Sequence, residues 1–202
     1  GMMGREHIQN IQLIKNTHIA AIFEPDPHMA MAGQALAPDA QLVDSLDALI
    51  AMPDLDALVI TSPNFEHAKQ IQTIAAARTI PILCEKPVIT DTQDSDLIIS
   101  LHRDYRAPVW VAMEYRYMPP IKALIEQANA TTGGVKMLTI REHRYPFLKK
   151  VGHWNRLNKY SGGTFVEKCC HFFDLMRLIL KDEPIRIMAS AGQDVNHLNE
   201  VY

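Results

Sequence analysis

LDALVIT, residues 55–61, and IPILC, residues 80–84, are short apolar segments that decide the fold. Similar segments occur at residues 18–23 (HIAAIF), 42–43 and 108–113, and helical patterns lie before, between and after them. Short buried strands that alternate with amphipathic helices form right-handed βαβ units on a parallel sheet. Residues 1–117 are therefore predicted to form a doubly wound, Rossmann-type α/β domain.

The alternation ends near residue 118. We predict a helix at residues 120–128, a strand at 135–145, a helix at 164–180 and a strand at 185–191. Residues 118–202 would then form an incomplete α+β domain with an open, mainly antiparallel sheet. Because no strand precedes Gly4 and the second sheet is thin, the sequence is interpreted as truncated at both ends, with the first strand of the first domain missing.

Charge and composition exclude several classes of protein. The chain has 20 Lys and Arg against 23 Asp and Glu, and no basic stripe of the kind that binds nucleic acid. No apolar run is long enough to cross a bilayer. The three cysteines are a poor disulfide framework and favour a reducing, cytoplasmic location, although an export signal before Gly1 is not excluded. No metal is expected, because consecutive residues Cys169, Cys170 and His171 would point about 100° apart on a helix.

A dinucleotide site is suggested by Gly1-x-x-Gly4 at the start of a helix and by Glu24, 20 residues after Gly4. Glycines at such a turn let the backbone approach a pyrophosphate, and the helix N-terminus supplies N–H donors. An acid at the end of the next strand accepts hydrogen bonds from ribose hydroxyls and repels a 2′-phosphate, which favours NAD over NADP. Alternatively, Gly1 and Gly4 are ordinary glycines and Glu24 merely opens a proline-rich loop. Asp26 is a weaker candidate for the ribose contact.

Lys86 follows the strand at residues 80–84, at the edge of the sheet where ligands of open α/β folds bind. A lysine there could polarise or protonate a substrate oxygen, although most lysines at strand ends are solvated. Cys84 just before it is expected to pack rather than react.

The helix predicted at residues 164–180 is apolar over most of its surface but carries Glu167, His171 and Asp174 on one face. An imidazole oriented by a carboxylate one turn away is a plausible general base for an alcohol proton. An equally good interpretation is a structural Glu–His–Asp pairing at the rim of the core.

The ordered motifs GMMGREH, FEPDP, TSPNFEH, EKP and GGTxxExxxHxxD, which begin at residues 1, 23, 61, 85 and 162, resemble those of the Gfo/Idh/MocA oxidoreductase family. The resemblance extends over essentially the whole chain and implies NAD(P)-dependent oxidation of a sugar, inositol or related polyol. It identifies Lys86 with the family's active-site lysine and His171 with its active-site histidine. Glu167 stands where the family usually has aspartate, and would hold the substrate or orient His171.

The resemblance also implies binding residues and an assembly. The expected cofactor contacts are Gly1, Met2, Met3, Gly4, Glu24, Thr61, Pro63, Asn64, His67, Glu85, Lys86 and Arg116. The expected substrate contacts are Lys86, Tyr145, Trp154, Asn155, Glu167 and His171. A homo-oligomer, either a dimer or a tetramer, is expected through the second-domain sheet.

Two other functions use the same residues. One is an enzyme that retains NAD during glycoside cleavage or epimerisation, and the other is a non-catalytic regulator that binds a nucleotide or a sugar. The joint presence of Lys86 and His171 speaks against the regulator. Substrate preference is expected to lie in residues 143–159.

Overall fold

A computed structural model describes residues 1–143, 148 and 150–190 of the 202-residue chain. The strands are β1 Ala21–Phe23, β2 Gln41–Val43, β3 Leu58–Ile60, β4 Ile82–Cys84 and β5 Val109–Val111. The α-helices are α1 Met2–Gln12, α2 Pro27–Gln34, α3 Leu46–Ile50, α4 His67–Ala77, α5 Ser95–Asp104, α6 Pro119–Thr132, α7 Asn158–Ser161, α8 Gly163–Glu167 and α9 Cys170–Leu180. Short 3₁₀ turns occur at Asn64–Glu66, Thr92–Asp94, Glu114–Tyr117 and Val151–Arg156.

The strands pair in parallel, as the alternation of apolar segments predicts. β1 pairs with β2, and β4 lies between β3 and β5, with Ile82 opposite both Leu58 and Val109. In the part of the chain that the structure describes, β1 and β2 form one sheet and β3, β4 and β5 form another. Because β3, β4 and β5 run in the same direction, the residues that follow them meet at one edge of the sheet.

The core of the first domain lies between α4 and the three-stranded sheet. Ile71 and Ile74 are fully buried against Ile82 and Cys84 of β4. Cys84 therefore packs as expected, and burial raises the pKa of its thiol to about 12. This packing fixes the end of β4, from which Glu85 and Lys86 emerge.

Side chains cap the N-termini of α2 and α3. The Asp26 carboxylate accepts a hydrogen bond from the Met29 amide at 3.0 Å and starts α2, and Ser45 caps α3 through the Ala48 amide at 3.0 Å. Such caps satisfy amides that have no partner within the helix.

The second region differs from the sequence prediction. Residues 135–143 and 185–190 form no strand in the described structure, so the strands predicted at 135–145 and 185–191 are wrong as far as these residues are described. A strand requires a hydrogen-bonded neighbour, and neither segment has one among the described residues. Met137 and Ile187 are consequently 86% and 78% exposed.

The helix predicted at residues 164–180 is divided into α8 and α9. Lys168, between them, has φ −112° and ψ −48°, outside regular helical geometry. Separately, none of the helices in the described parts of the chain is long and apolar enough to cross a membrane.

Candidate active site

The first turn of α1 lies against the ends of two strands. The Gly1 nitrogen is 2.9 Å from Glu24 Oε2, which joins the helix N-terminus to the acid that follows β1. A Cβ on Gly4 would lie only 3.0 Å from Thr61 Oγ1, so glycine permits the close approach of α1 to the residue after β3. Helix N–H groups and a carboxylate are therefore brought together, as a dinucleotide site requires.

Beside Glu24, a cleft of about 230 Å³ opens between the carboxyl ends of β1 and β2 and includes Pro25 and Asp44 in its lining. A larger groove of about 390 Å³ lies between α1 and α2. Neither Lys86 nor His171 lines this groove, and we do not assign it to the site. The smaller cleft has the charge and position that suit the adenosine end of a dinucleotide.

Asn64 contributes an unsatisfied polar group to the region after β3. It is 5% exposed, and its Nδ2 has no hydrogen-bond partner among the described residues. A buried amide without a partner is costly, and a ligand is one way to satisfy it. Thr61 and Pro63 are half-buried beside it in the chain and stay predicted cofactor contacts.

His67 is buried between two loops at the sheet edge. It is fully buried, with Nδ1 2.7 Å from the carbonyl of Pro87 and Nε2 2.9 Å from that of Ser62. Burial lowers the pKa of His67, so the ring is neutral near pH 7 and donates to only one carbonyl at a time. As the first residue of α4, His67 turns inward and links the loop after β3 to the loop after β4. Its contact with the cofactor stays a prediction.

Glu85 is anchored to α1 by a residue that the sequence reading did not select. Its Oε1 lies 2.8 Å from His7 Nε2, and the carboxylate is buried. Burial acts to raise the pKa of Glu85, but the hydrogen bond with His7 and the charge of Lys86 outweigh it, so the pKa lies below its usual value. His7 stands three residues after Gly4, a spacing that could have suggested a contact from the same helix face.

Lys86 extends from the first domain to the second. Its Nζ donates to the backbone carbonyl of Glu167 at 3.0 Å, and the Lys86–Pro87 peptide bond is cis. The contact brings the lysine to the end of α8, just before the helix that carries His171. The predicted pair of groups, an amine and an imidazole from different domains, therefore meets in one region of the molecule.

His171 lies in the first turn of α9 and is 2% exposed. Burial, followed by the positive charges of Lys86 and Lys168, lowers the pKa of His171 to about 4. The imidazole is then neutral near pH 7, the form that accepts a proton. Its Nδ1 has no hydrogen-bond partner among the described residues.

A carboxylate that the sequence did not suggest lies beside this imidazole, with Glu114 Oε1 3.5 Å from His171 Nε2. Glu167 is 4% exposed, and the break between α8 and α9 separates it from the helix that carries His171. Asp174 pairs with the guanidinium of Arg116, with Nε 2.6 Å from Oδ2. Glu167 and His171 therefore do not share one continuous helix, as was predicted. Arg116 forms an ion pair with Asp174, and its contact with the cofactor stays a prediction.

The predicted substrate loop is only partly described. Tyr145 lies outside the described residues. Asn155 is 1% exposed; its Oδ1 accepts from the Lys150 amide at 3.0 Å, and its Nδ2 donates to the Leu148 carbonyl at 2.8 Å. Both ends of the Asn155 amide are therefore bonded to backbone of the loop, and its contact with the substrate stays a prediction. Trp154 packs edge-on against Phe65, with ring centroids 6.0 Å apart.

Comparisons with known proteins identify the family of the chain. Residues 1–113 match a family model described as an oxidoreductase family with an NAD-binding Rossmann fold, and residues 122–201 match the C-terminal α/β domain of that family. The chain is 30% identical over 194 residues to inositol 2-dehydrogenase of Rhizobium meliloti strain 1021, covering 95% of this chain and 56% of that protein. It is 32% identical over 178 residues to inositol 2-dehydrogenase of Corynebacterium glutamicum strain R, covering 87% and 50%.

Solved structures give the same fold. A candidate myo-inositol dehydrogenase from Sinorhizobium meliloti 1021 superposes with a TM-score of 0.78 at 29% identity, covering 91% of this chain and 54% of the other. Myo-inositol dehydrogenase from Lactobacillus casei, in complex with NAD(H) and myo-inositol, superposes with a TM-score of 0.73 at 20% identity, covering 98% and 59%. The chain spans about half the length of the curated relatives it matches.

Proposed function

This chain belongs to the Gfo/Idh/MocA oxidoreductase family, and from that membership we propose that the full-length protein is an NAD-dependent dehydrogenase. Its substrate would be inositol or a related polyol or sugar, oxidised at one carbinol carbon. The relatives described as inositol dehydrogenases support this choice. We propose residues 1–117 as the nucleotide-binding domain and residues 118–202 as part of the substrate domain.

NAD fits the residues present at the sheet edge. The first turn of α1 would hold the pyrophosphate, Glu24 the adenosine ribose, and the buried amide of Asn64 a further polar group of the cofactor. The support for this assignment is the close approach of Gly4 to Thr61 and the unpartnered Nδ2 of Asn64. Bound NAD would supply the acceptor for the hydride that leaves the substrate carbon.

The chain's own residues would manage the proton and the charge. His171, neutral near pH 7, would take the hydroxyl proton of the substrate. The Lys86 ammonium would stabilise the negative charge that develops on that oxygen. Glu167, which is buried, would bind a substrate hydroxyl. The single observation that carries the proposal is the reach of Lys86 Nζ to the Glu167 carbonyl, which brings the amine into the region of His171.

A panel of polyols and sugars tests the proposal. The full-length protein is incubated with NAD and each compound, and NADH is followed by its absorbance. Inositol or a close relative should give steady NADH formation. Absence of NADH across the panel, with the protein folded and able to bind NAD, would contradict the proposal. Product without net NADH would contradict it as well.

We extend the proposal to a homo-oligomer in the cytoplasm. Exposed apolar side chains such as Met137 and Ile187 in the second region need a covering surface, which a second copy would provide. The unpaired thiols of Cys84, Cys169 and Cys170 are compatible with a reducing compartment. The mass of the full-length protein in solution tests the oligomer.

A further inference from the structure

Two adjacent residues of one 3₁₀ turn contact the His171 imidazole from different directions. The ring of Tyr115 stacks on it, with centroids 4.3 Å apart and the planes 12° from parallel. Glu114 Oε1 lies 3.5 Å from Nε2 at the edge of the ring. The imidazole is thus bounded on one face and at one nitrogen by the turn Glu114–Tyr117, which follows β5 in the first domain.

The turn is itself fixed to the second region on two sides. Arg116 pairs with Asp174, one turn of α9 beyond His171. The Lys168 ammonium contacts the Tyr115 hydroxyl and lies 3.2 Å from Glu142 Oε1. Because these contacts hold the turn and the helix together, the Tyr115 ring has little freedom to leave the imidazole.

Among the charged groups around His171, Glu114 is placed to stabilise the protonated imidazole. The protonated ring is disfavoured by two positive charges, Lys86 after β4 and Lys168 between α8 and α9. It is favoured more weakly by two carboxylates, Glu85 and Asp174. The Glu114 carboxylate lies within contact distance of the imidazole. An imidazole that accepts a proton becomes a cation, and a carboxylate at this distance stabilises it.

We propose that Glu114 and Tyr115 are positioning residues that hold the His171 imidazole, Tyr115 by its face and Glu114 by its edge. The proposal rests on the proposed function for the catalytic role of His171, but the contacts themselves do not depend on it. The buried Nδ1, which has no partner among the described residues, leaves this turn as the element that sets the ring's orientation.

The Tyr115 stack is tested by three variants of the full-length protein. Tyr115→Leu removes the ring, Tyr115→Phe keeps it without the hydroxyl, and Tyr117→Leu changes an exposed tyrosine of the same turn. The His171 ring protons, assigned by comparison with His171→Asn in NMR spectra, should lie upfield in the wild type because they sit under an aromatic ring. That upfield position should be lost in Tyr115→Leu alone.

Turnover with NAD and a polyol gives the second measurement. Tyr115→Leu should lower kcat about 10- to 100-fold, with KM and the Kd for NAD close to wild type, because a misplaced base slows the chemical step. Tyr115→Phe should retain most of kcat, and Tyr117→Leu all of it. Wild-type kcat in Tyr115→Leu, or an equal loss in Tyr117→Leu, would overturn the role of the stack.

Glu114 is tested by its effect on pH dependence. Glu114→Gln removes the charge with little change of shape. Glu126→Gln is the matched control, since Glu126 is 59% exposed against 57% for Glu114 and its carboxylate lies 3.8 Å from the Lys122 ammonium, away from His171. In Glu114→Gln the acidic side of the pH profile of kcat/KM should move about half a pH unit to lower pH. The reason is that the protonated imidazole loses a stabilising negative charge, which lowers the pKa of His171. An unmoved profile, or the same shift in Glu126→Gln, would overturn the role of Glu114.

The two proposals fail in distinguishable ways. If the wild-type protein oxidises no polyol or sugar, the proposed function fails, while the upfield ring protons still establish the stack. If the protein turns over normally but the ring protons of the wild type are not displaced, the positioning inference fails and the dehydrogenase assignment stands.

Discussion

Burial of a neutral histidine should make the stability of this protein fall at mildly acidic pH. His171 has a pKa of about 4 in the folded chain, against 6.5 for the free group. Because the folded pKa is depressed, the contribution of His171 to stability is complete above pH 6.5 and is lost as the pH falls towards 4. A difference of about 2.5 units corresponds to about 3 kcal/mol in total, of which about 2 kcal/mol is lost between pH 7.5 and pH 5.

The measurement compares urea unfolding of the full-length wild-type protein and His171→Asn at pH 7.5 and at pH 5. Asparagine has a similar shape but does not titrate in this range, so the variant should lose about 2 kcal/mol less than the wild type on acidification. His102→Asn, a change at an exposed position of α5, should behave like the wild type. Equal losses in the wild type and His171→Asn would refute the buried, neutral state of His171 and, with it, its suitability as a proton acceptor.

Three further changes test other parts of the structure. Lys86→Met should lower kcat about 10²- to 10³-fold through lost stabilisation of negative charge, while the Kd for NAD, measured by calorimetry, stays near wild type; unchanged turnover would contradict the role of Lys86. Glu24→Ser should weaken NAD binding and move the NAD-to-NADP preference about tenfold or more towards NADP, measured as a ratio of kcat/KM values, and an unmoved ratio would remove Glu24 from the ribose site. Arg78→Ala should lower the free energy of unfolding, measured by urea titration, by about 2–3 kcal/mol. The reason is that the guanidinium donates hydrogen bonds to the carbonyls of Ile50, Pro53 and Leu55. A loss below about 0.5 kcal/mol would show that water replaces these bonds.

The sequence predicted the first domain well because its signals are local. Each short apolar segment before a polar loop, such as residues 80–84 before Glu85 and Lys86, is sufficient to indicate a buried parallel strand and a residue at the sheet edge. The spacing of Glu24 from Gly4 likewise predicted an acid at the end of the next strand, and Glu24 directly follows β1 in the structure. The strands predicted in the second region failed because strand formation depends on a neighbour, which composition and periodicity do not reveal.

The sequence by itself therefore determined which residue types stand at strand ends and helix starts, including Lys86 and His171. The tertiary structure decided which of them are exposed to a ligand and which are used internally. His67 and Asn155 have the polarity of binding residues, but their partners are backbone carbonyls and amides that only the folded chain brings near. Glu114 gave no signal in sequence because its contact with His171 joins segments far apart in the chain, and a break between α8 and α9 separates Glu167 from the helix that carries that imidazole.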